Sequence, residues 1–386
     1  MQRFFAGAFL AALVLAAPAS AAVPKGPAGL DFYKSPDRLP AHGSAIQWRK
    51  LTGDPVLKSA ASNRLLLYSS TSRNGGKVAV SGTVAVPKGK APKGGWPVVS
   101  WAHGTVGIAD ACAPSIAGMP GNYDSALLNS WLKAGYAVVR TDYEGLGVPN
   151  VTHPYLIGPS EAHSLLDIVR AARKLDPKIG KDLVLAGHSQ GGHAVLWANS
   201  LARKYTPDLK LKGTLALAPA SHLGEQASLL SALNSPSGLS GLAAMILRGI
   251  DVDQPSLNIG TLLSDRAKAL YPRVDQDCLT DLSQANEFGG LAPAELFAPN
   301  VNTAPIVAAL NKNDPEDLKL HGPVQIEQGK ADGTVIPLFT DQLNTALRGK
   351  SAHVTYKTYA GVDHAGIVLK ASPAKDATKF VKQELG

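Results

Sequence analysis

Apolar and polar positions along this chain fall into two blocks of regular alternation, separated by a long stretch without it. In the first block, RLLLYSS (64–70) and KVAVSGTVAVP (77–87) read as strands, the second alternating well and interrupted by Gly82. WPVVSWAH (96–103) is a continuous apolar run, the pattern of a strand covered on both faces. SALLNSWLKAG (125–135) has helical spacing and a closing glycine, and YAVVRTDYEG (136–145) follows as a strand. SEAHSLLDIVRAARKL (160–175) predicts a helix with one apolar face and Ser160 as its N-cap. A strand DLVLAGHS (182–189), a helix GGHAVLWANSLARKY (191–205) and a strand GTLALAPA (213–220) complete the block.

The alternation stops there. Residues 221–320 hold mixed helical pieces (GEQASLLSALN, GLAAMILRGI, DRAKAL), many prolines and no strong strand. It resumes with PVQIEQG (323–329), a helix in PLFTDQLNTAL (337–347), a strand VTYKTYAG (354–361) and a last helix in KDATKFVKQEL (375–385). Short apolar strands alternating with amphipathic helices predict a mostly parallel α/β sheet flanked by helices, carrying an insertion before its last two strands. The expected division is a first core segment 61–220, a helical insertion 221–320 and a second core segment 321–386. Residues 22–60, rich in Pro, Gly and Lys with little periodicity, are expected to wrap the surface as an arm.

The N-terminus carries a different pattern. Arg3 is followed by an apolar run FFAGAFLAALVLAA, too short to span a bilayer, and then by Ala19-Ser20-Ala21, an A-x-A cleavage pattern. Residues 1–21 are therefore expected to be a cleavable signal peptide and the protein to be exported. Export gives weight to the two cysteines, Cys112 and Cys278: in an oxidising compartment a disulfide between them is expected, two buried thiols being the alternative. The formal charge of +8 is scattered, KGKAPKGG (88–95) being the densest cluster, and aromatics are only 6%. Without a basic stripe interleaved with aromatics, nucleic-acid binding is not expected. No H-E-x-x-H, C-x-x-C or G-x-G-x-x-G is present, so neither a metal nor a nucleotide cofactor is expected.

The candidate chemistry centres on Gly187-His188-Ser189-Gln190-Gly191, a G-x-S-x-G sequence between a predicted strand and helix. A serine at that joint sits at unfavourable backbone angles, and its neighbours two before and two after must be small. Gly187 and Gly191 meet that need, and Gly192 lets the helix lie close to the sheet. A serine nucleophile requires a base and the base an orienting carboxylate, expected in the order Ser, acid, His just past the last two strands. Asp332 follows VQIEQG and His364 follows VTYKTYAG. Asp363, adjacent to the histidine, and Glu327, inside the strand, are the competing acids. For the oxyanion, the N–H of Gln190 is the first donor; the second comes from the turn His103-Gly104-Thr105, with Thr105 assigned and Gly104 next. His103 and His188 are read as shaping their turns rather than as bases, and His193 as a packing residue.

With these residues in place the chain resembles the α/β-hydrolase superfamily and, within it, the secretory lipases (lipase A-like enzymes). The resemblance rests on HGTVGIADACAPS (103–115), TDYEGLG with HPYL (141–156), GHSQGG (187–192), ADGTVIP (331–337), GVDH (361–364) and an early FYKSPDRLP. It implies that residues 221–320 form a helical cap over the active site and that the substrates are lipid or other carboxylic esters. The resulting expectation is a secreted, monomeric serine esterase or lipase without cofactor, in transient contact with a lipid interface. An acyltransferase using the same triad and a non-catalytic lipid-binding envelope protein are the alternatives.

Overall fold

The computed structural model describes residues 22–350 and 353–386; the expected signal peptide, 1–21, lies outside the described residues. Nine strands form one sheet: β1 Ser44–Lys50, β2 Ala60–Thr71, β3 Lys77–Pro87, β4 Trp96–Ala102, β5 Ala137–Thr141, β6 Ile179–His188, β7 Lys210–Leu217, β8 Pro323–Gly329 and β9 His353–Tyr359. Their spatial order is β1-β2-β3-β5-β4-β6-β7-β8-β9. The β1–β2, β2–β3 and β3–β5 pairs are antiparallel and every later pair is parallel. Parallel neighbours need helical crossovers, which are supplied by Ser125–Lys133, Gly158–Leu175, Gln190–Tyr205 and Pro337–Lys350.

Both faces of the sheet are covered, which is why its central strands carry near-continuous apolar runs such as Leu183–Ala186. On one face Leu165, Ile168, Val195 and Leu343 of three crossover helices pack with Val98, Leu183 and Ile326. On the other, Leu128 and Trp131 of Ser125–Lys133 and Phe380 and Val381 of the C-terminal helix Ala371–Leu385 pack with Val99, Val184 and Leu215.

The structure corrects two sequence readings. The segment 22–60 is not only an arm: β1 extends the sheet as an antiparallel edge strand, paired through Trp48–Leu66 and its neighbours. SAIQWRK is half-exposed along its length and carries Gln47, Arg49 and Lys50, so it lacks the apolar run that marks an inner strand. Ser160 is not an N-cap. The helix begins at Gly158 with Pro159 in its first turn, and Ser160 lies inside it, donating its hydroxyl to Glu144.

Between β7 and β8 the chain forms helices, the longest being Leu223–Leu230, Leu239–Asp253 and Ala304–Asn311. They own a separate core in which Met245, Ile250, Phe288, Leu291, Ile306 and Leu310 are buried, closed off against Leu156 and Ile157 of the β5–β6 connection. A disulfide between Cys112 and Cys278, with Cα atoms 5.5 Å apart, ties this insertion to the loop after β4. Beside it Gly107 bridges to Cys278, and Leu279 donates its N–H to the Val106 carbonyl at 2.9 Å. No helix among the described residues is long and apolar enough to cross a membrane.

Candidate active site

β6 delivers the chain to Ser189 and the helix Gln190–Tyr205 leaves from it, so the serine is the hinge of a reversal in direction. Its backbone stands at φ 58°, ψ −117°, a conformation few L-residues adopt and one the surroundings must hold. The Ser189 N–H donates to the Leu217 carbonyl, while its own carbonyl accepts from the N–H groups of His193 and Ala220. Space is the other constraint. A Cβ on Gly187 would stand 2.2 Å from the Gly191 carbonyl oxygen, and one on Gly191 1.9 Å from that of Ala102. A Cβ on Gly192 would stand 2.7 Å from the Pro219 Cα, so this glycine sets the approach of the helix to the chain leaving β7. Gly191→Ala is expected to force β4 and the elbow apart. Because backbone rather than a movable side chain is the obstacle, a loss on the order of 3 kcal/mol in urea-unfolding free energy is the expected result.

His364 is carried by the turn that follows β9, and Asp332 by the turn that follows β8. The structure brings both to Ser189. The Ser189 hydroxyl lies 2.9 Å from His364 Nε2, and His364 Nδ1 lies 2.7 Å from Asp332 Oδ2. Since a carboxylate only accepts, Nδ1 carries the ring proton and Nε2 is left free to accept from the hydroxyl. Asp332 is itself buried and saturated: Oδ1 accepts from the N–H groups of Thr334 and Val335 at 2.8 and 2.9 Å, and Oδ2 also accepts from Gln328 Nε2 at 3.1 Å. The competing acids are engaged elsewhere. Asp363 accepts from the N–H of Gly366, while Glu327 accepts from Gln325 and Tyr359, its pKa pushed up by burial to about 7.

The other histidines near the elbow hold backbone. His188 Nε2 lies 3.0 Å from the carbonyl oxygen of His364 and its Nδ1 3.3 Å from Tyr123 Oη, so it braces the turn that carries His364. Burial first, and the neighbouring His364 second, drive its pKa well below the ordinary histidine range. His103 Nδ1 donates to the Gly104 carbonyl at 2.7 Å, and burial lowers its pKa to about 4. The sign for stability follows: a depressed pKa means the folded state resists protonation, so His103 contributes fully above about pH 6.5 and loses that contribution as pH falls toward 4. Comparing wild type with His103→Gln isolates this group from buried carboxylates such as Asp142, whose burial-raised pKa acts in the opposite sense. Between pH 7.5 and 4.5 the wild type is expected to lose about 2 kcal/mol more than the variant in urea-unfolding free energy.

For the proposed oxyanion donors, the N–H groups of Gln190 and Thr105 have no acceptor among the described residues, whereas that of Gly104 donates to Tyr123 Oη at 3.3 Å. Thr105 Oγ1 is 2.6 Å from Tyr155 Oη. Ser189, His364, Gly104 and Thr105 line a cavity of about 320 Å³ whose other walls are chiefly apolar. Leu223, Ala227, Leu230, Leu242 and Ile246 of the insertion also line it, so the helices between β7 and β8 supply part of the wall of the cavity that holds the serine.

Several residues of this neighbourhood escaped the sequence reading. Tyr123, Tyr155 and Gln328 carry no local signal, because only the folded chain brings them to the site. His193 is not a simple packing residue: its Nδ1 is 2.9 Å from Glu161 and its Nε2 2.7 Å from the Asn313 carbonyl oxygen. Metal-ligand types also meet where spacing had shown none. His222, Asp314 and Glu316 converge at the two roots of the insertion, with candidate ligand atoms within 4.8 Å of one another. There they satisfy the protein itself, His222 pairing with Glu316 at 3.0 Å and Asp314 accepting the N–H groups of Leu223 and Glu316.

Residues 113–291 match the family model described as secretory lipase. The chain has the α/β-hydrolase fold, and within it this segment is similar to the secretory lipases. Lipase A of Moesziomyces aphidis is 31% identical over 270 residues, covering 64% of this chain and 55% of the relative. A protein of Mycobacterium tuberculosis named "probable inactive lipase" is 29% identical over 205 residues, covering 50% of this chain and 44% of the relative. The chain spans about half the length of the curated relatives it matches. The crystal structure of Candida antarctica lipase A in its closed state shares the fold, with a TM-score of 0.74 and 22% identity over 89% of this chain and 82% of that one.

Proposed function

We propose that this protein is an exported serine hydrolase of carboxylic esters. The observation that carries the proposal is the hydrogen-bonded chain Ser189–His364–Asp332 on the floor of an apolar cavity. His364 Nε2 takes the proton of the Ser189 hydroxyl as Oγ attacks the ester carbonyl, and Asp332 balances the imidazolium. The N–H groups of Gln190 and Thr105 donate hydrogen bonds to the developing oxyanion. Collapse of the tetrahedral adduct expels the alcohol, which receives its proton from His364. Water, activated by the same histidine, then hydrolyses the acyl-enzyme.

The apolar lining supports esters whose acyl part is a hydrocarbon, because few polar groups face it. The experiment is a p-nitrophenyl ester series of increasing acyl length. Turnover by wild type is the expected result, with a preference for short chains marking an esterase and for long chains a lipase; no turnover of any ester contradicts the proposal. The relative named as inactive gives one reason to retain a second reading, a lipid-binding protein without catalysis. Unlike that reading, hydrolysis gives a use to the alignment of a hydroxyl, an imidazole and a saturated carboxylate. Transfer to an alcohol acceptor uses the same acyl-enzyme and is separated by the product formed when the acceptor is supplied.

A further inference from the structure

Behind the elbow lies a second set of buried polar groups that the proposed mechanism does not use. Glu161, in the first turn of the helix Gly158–Leu175, is fully buried, and so are His193 and His153. The Glu161 Oε1 accepts from the N–H of Leu156 at 3.1 Å and from Gln190 Nε2 at 2.8 Å, while Oε2 faces His193 Nδ1. The Gln190 amide has its second donor directed at His153 Nε2, 2.9 Å away, and His153 donates its Nδ1–H to the carbonyl of Glu144 at 2.7 Å. Burial lowers the His153 pKa to about 3, which keeps Nε2 unprotonated and able to accept.

The network fixes its own protonation. His193 faces an acceptor at each ring nitrogen, the Glu161 carboxylate and the Asn313 carbonyl, and two acceptors call for two ring protons. Burial alone would depress its pKa, but the hydrogen bond and charge of Glu161, with the Asn313 carbonyl and Asp314, raise it instead. The same Asn313 carbonyl accepts from Trp197 Nε1 at 2.9 Å, and the Asn313 side chain accepts the N–H of Gly158. Both donors of one side-chain amide, that of Gln190, are thereby matched.

Resting on the reading of Gln190 N–H as an oxyanion donor, we infer that Glu161 is a positioning residue for that donor. It clamps the Gln190 amide from one side while His153 clamps it from the other, so that the N–H next to the nucleophile is held before substrate arrives. Through His193 and Asn313 the clamp is joined to the chain leaving the helical insertion. A helix-terminal carboxylate that served stability alone would affect unfolding and not the balance between ground-state and transition-state binding.

The test uses Glu161→Ala, Glu161→Gln and Gln190→Ala in the full chain, assayed with a p-nitrophenyl ester and a trifluoromethyl ketone that forms a hemiketal oxyanion on serine. Glu161→Gln keeps an oxygen for Leu156 and Gln190, and a neutral His193 tautomer still donates to Asn313. It is expected to stay within about threefold of wild type. Glu161→Ala and Gln190→Ala are expected to lower kcat roughly 10- to 100-fold with KM within about twofold, and to weaken the ketone in proportion to kcat. Folded Glu161→Ala and Gln190→Ala with wild-type kcat and ketone affinity overturn the inference, as does equal weakening of substrate and ketone. If Glu161→Ala does not fold, Gln190→Ala decides alone, since it removes only the clamped side chain. Wild type without ester turnover overturns the hydrolase reading and this inference together; an active wild type with unaffected variants overturns this inference only.

Discussion

Ser189→Ala is expected to lower kcat for p-nitrophenyl ester hydrolysis by roughly 10⁴- to 10⁶-fold while leaving the fold intact. The variant keeps the backbone of the elbow and a Cβ in the same place; only the hydroxyl that faces His364 Nε2 is lost. His364→Ala should cost about as much, and the double variant little more than either, because the three groups act as a unit. Asp332→Asn is informative in another way. An amide in place of Oδ2 presents a donor to His364 Nδ1 and favours the ring tautomer that cannot accept from serine, so a loss near 10⁴-fold is expected without a change in KM. Steady-state kinetics on folded variants checks each figure, and a Ser189→Ala protein that retains more than a few per cent of wild-type turnover would remove the serine from the chemistry.

The second large effect is on stability. Cys112 and Cys278 are separated by 166 positions, and closing so long a loop constrains the unfolded chain. The chain-entropy account assigns about 5 kcal/mol to a loop of that length, an upper figure where the reduced chain keeps structure. Non-reduced protein is expected to show no free thiol, and Cys112→Ser/Cys278→Ser to unfold at clearly lower urea concentration. Activity should fall at temperatures well below the variant's global unfolding, because the bond, the Gly107–Cys278 bridge and the Leu279–Val106 hydrogen bond together pin the loop that carries Thr105. Two titratable thiols in non-reduced wild type would contradict this.

How much of this was legible in the sequence depends on what each element buries. β4 and the second half of β6 are covered on both faces and read as apolar runs, and β8 was marked by Val324 and Ile326 despite its buried Gln325 and Glu327, so their positions and the insertion before β8 were visible at once. β1 was not, because an edge strand carrying Gln47, Arg49 and Lys50 has no such run. The elbow was legible because backbone crowding at Gly187 and Gly191 dictates residue type locally. Asp332 and His364 were legible through their place after the last two strands, where the fold sends its turns toward one end of the sheet. Nothing local marked Glu161, His153 or Asn313. Their partners lie 29 residues or more away for the Gln190–Glu161 bond and 120 for the His193–Asn313 bond, and only the packed helices bring them together. The Ser160 misreading has the same origin: a serine near a helix start suits a cap locally, but here the carboxylate of Glu144 claims the hydroxyl.

The central claim is that Ser189, activated by His364, forms a covalent acyl-enzyme. Its most direct test is labelling of the folded protein with a fluorophosphonate, followed by intact-mass measurement and peptide mapping. The account predicts one label per chain, located on Ser189, formed rapidly in wild type, slowed by orders of magnitude in His364→Ala and absent in Ser189→Ala. Well-folded wild type that takes up no label, or carries it on another residue, would contradict it.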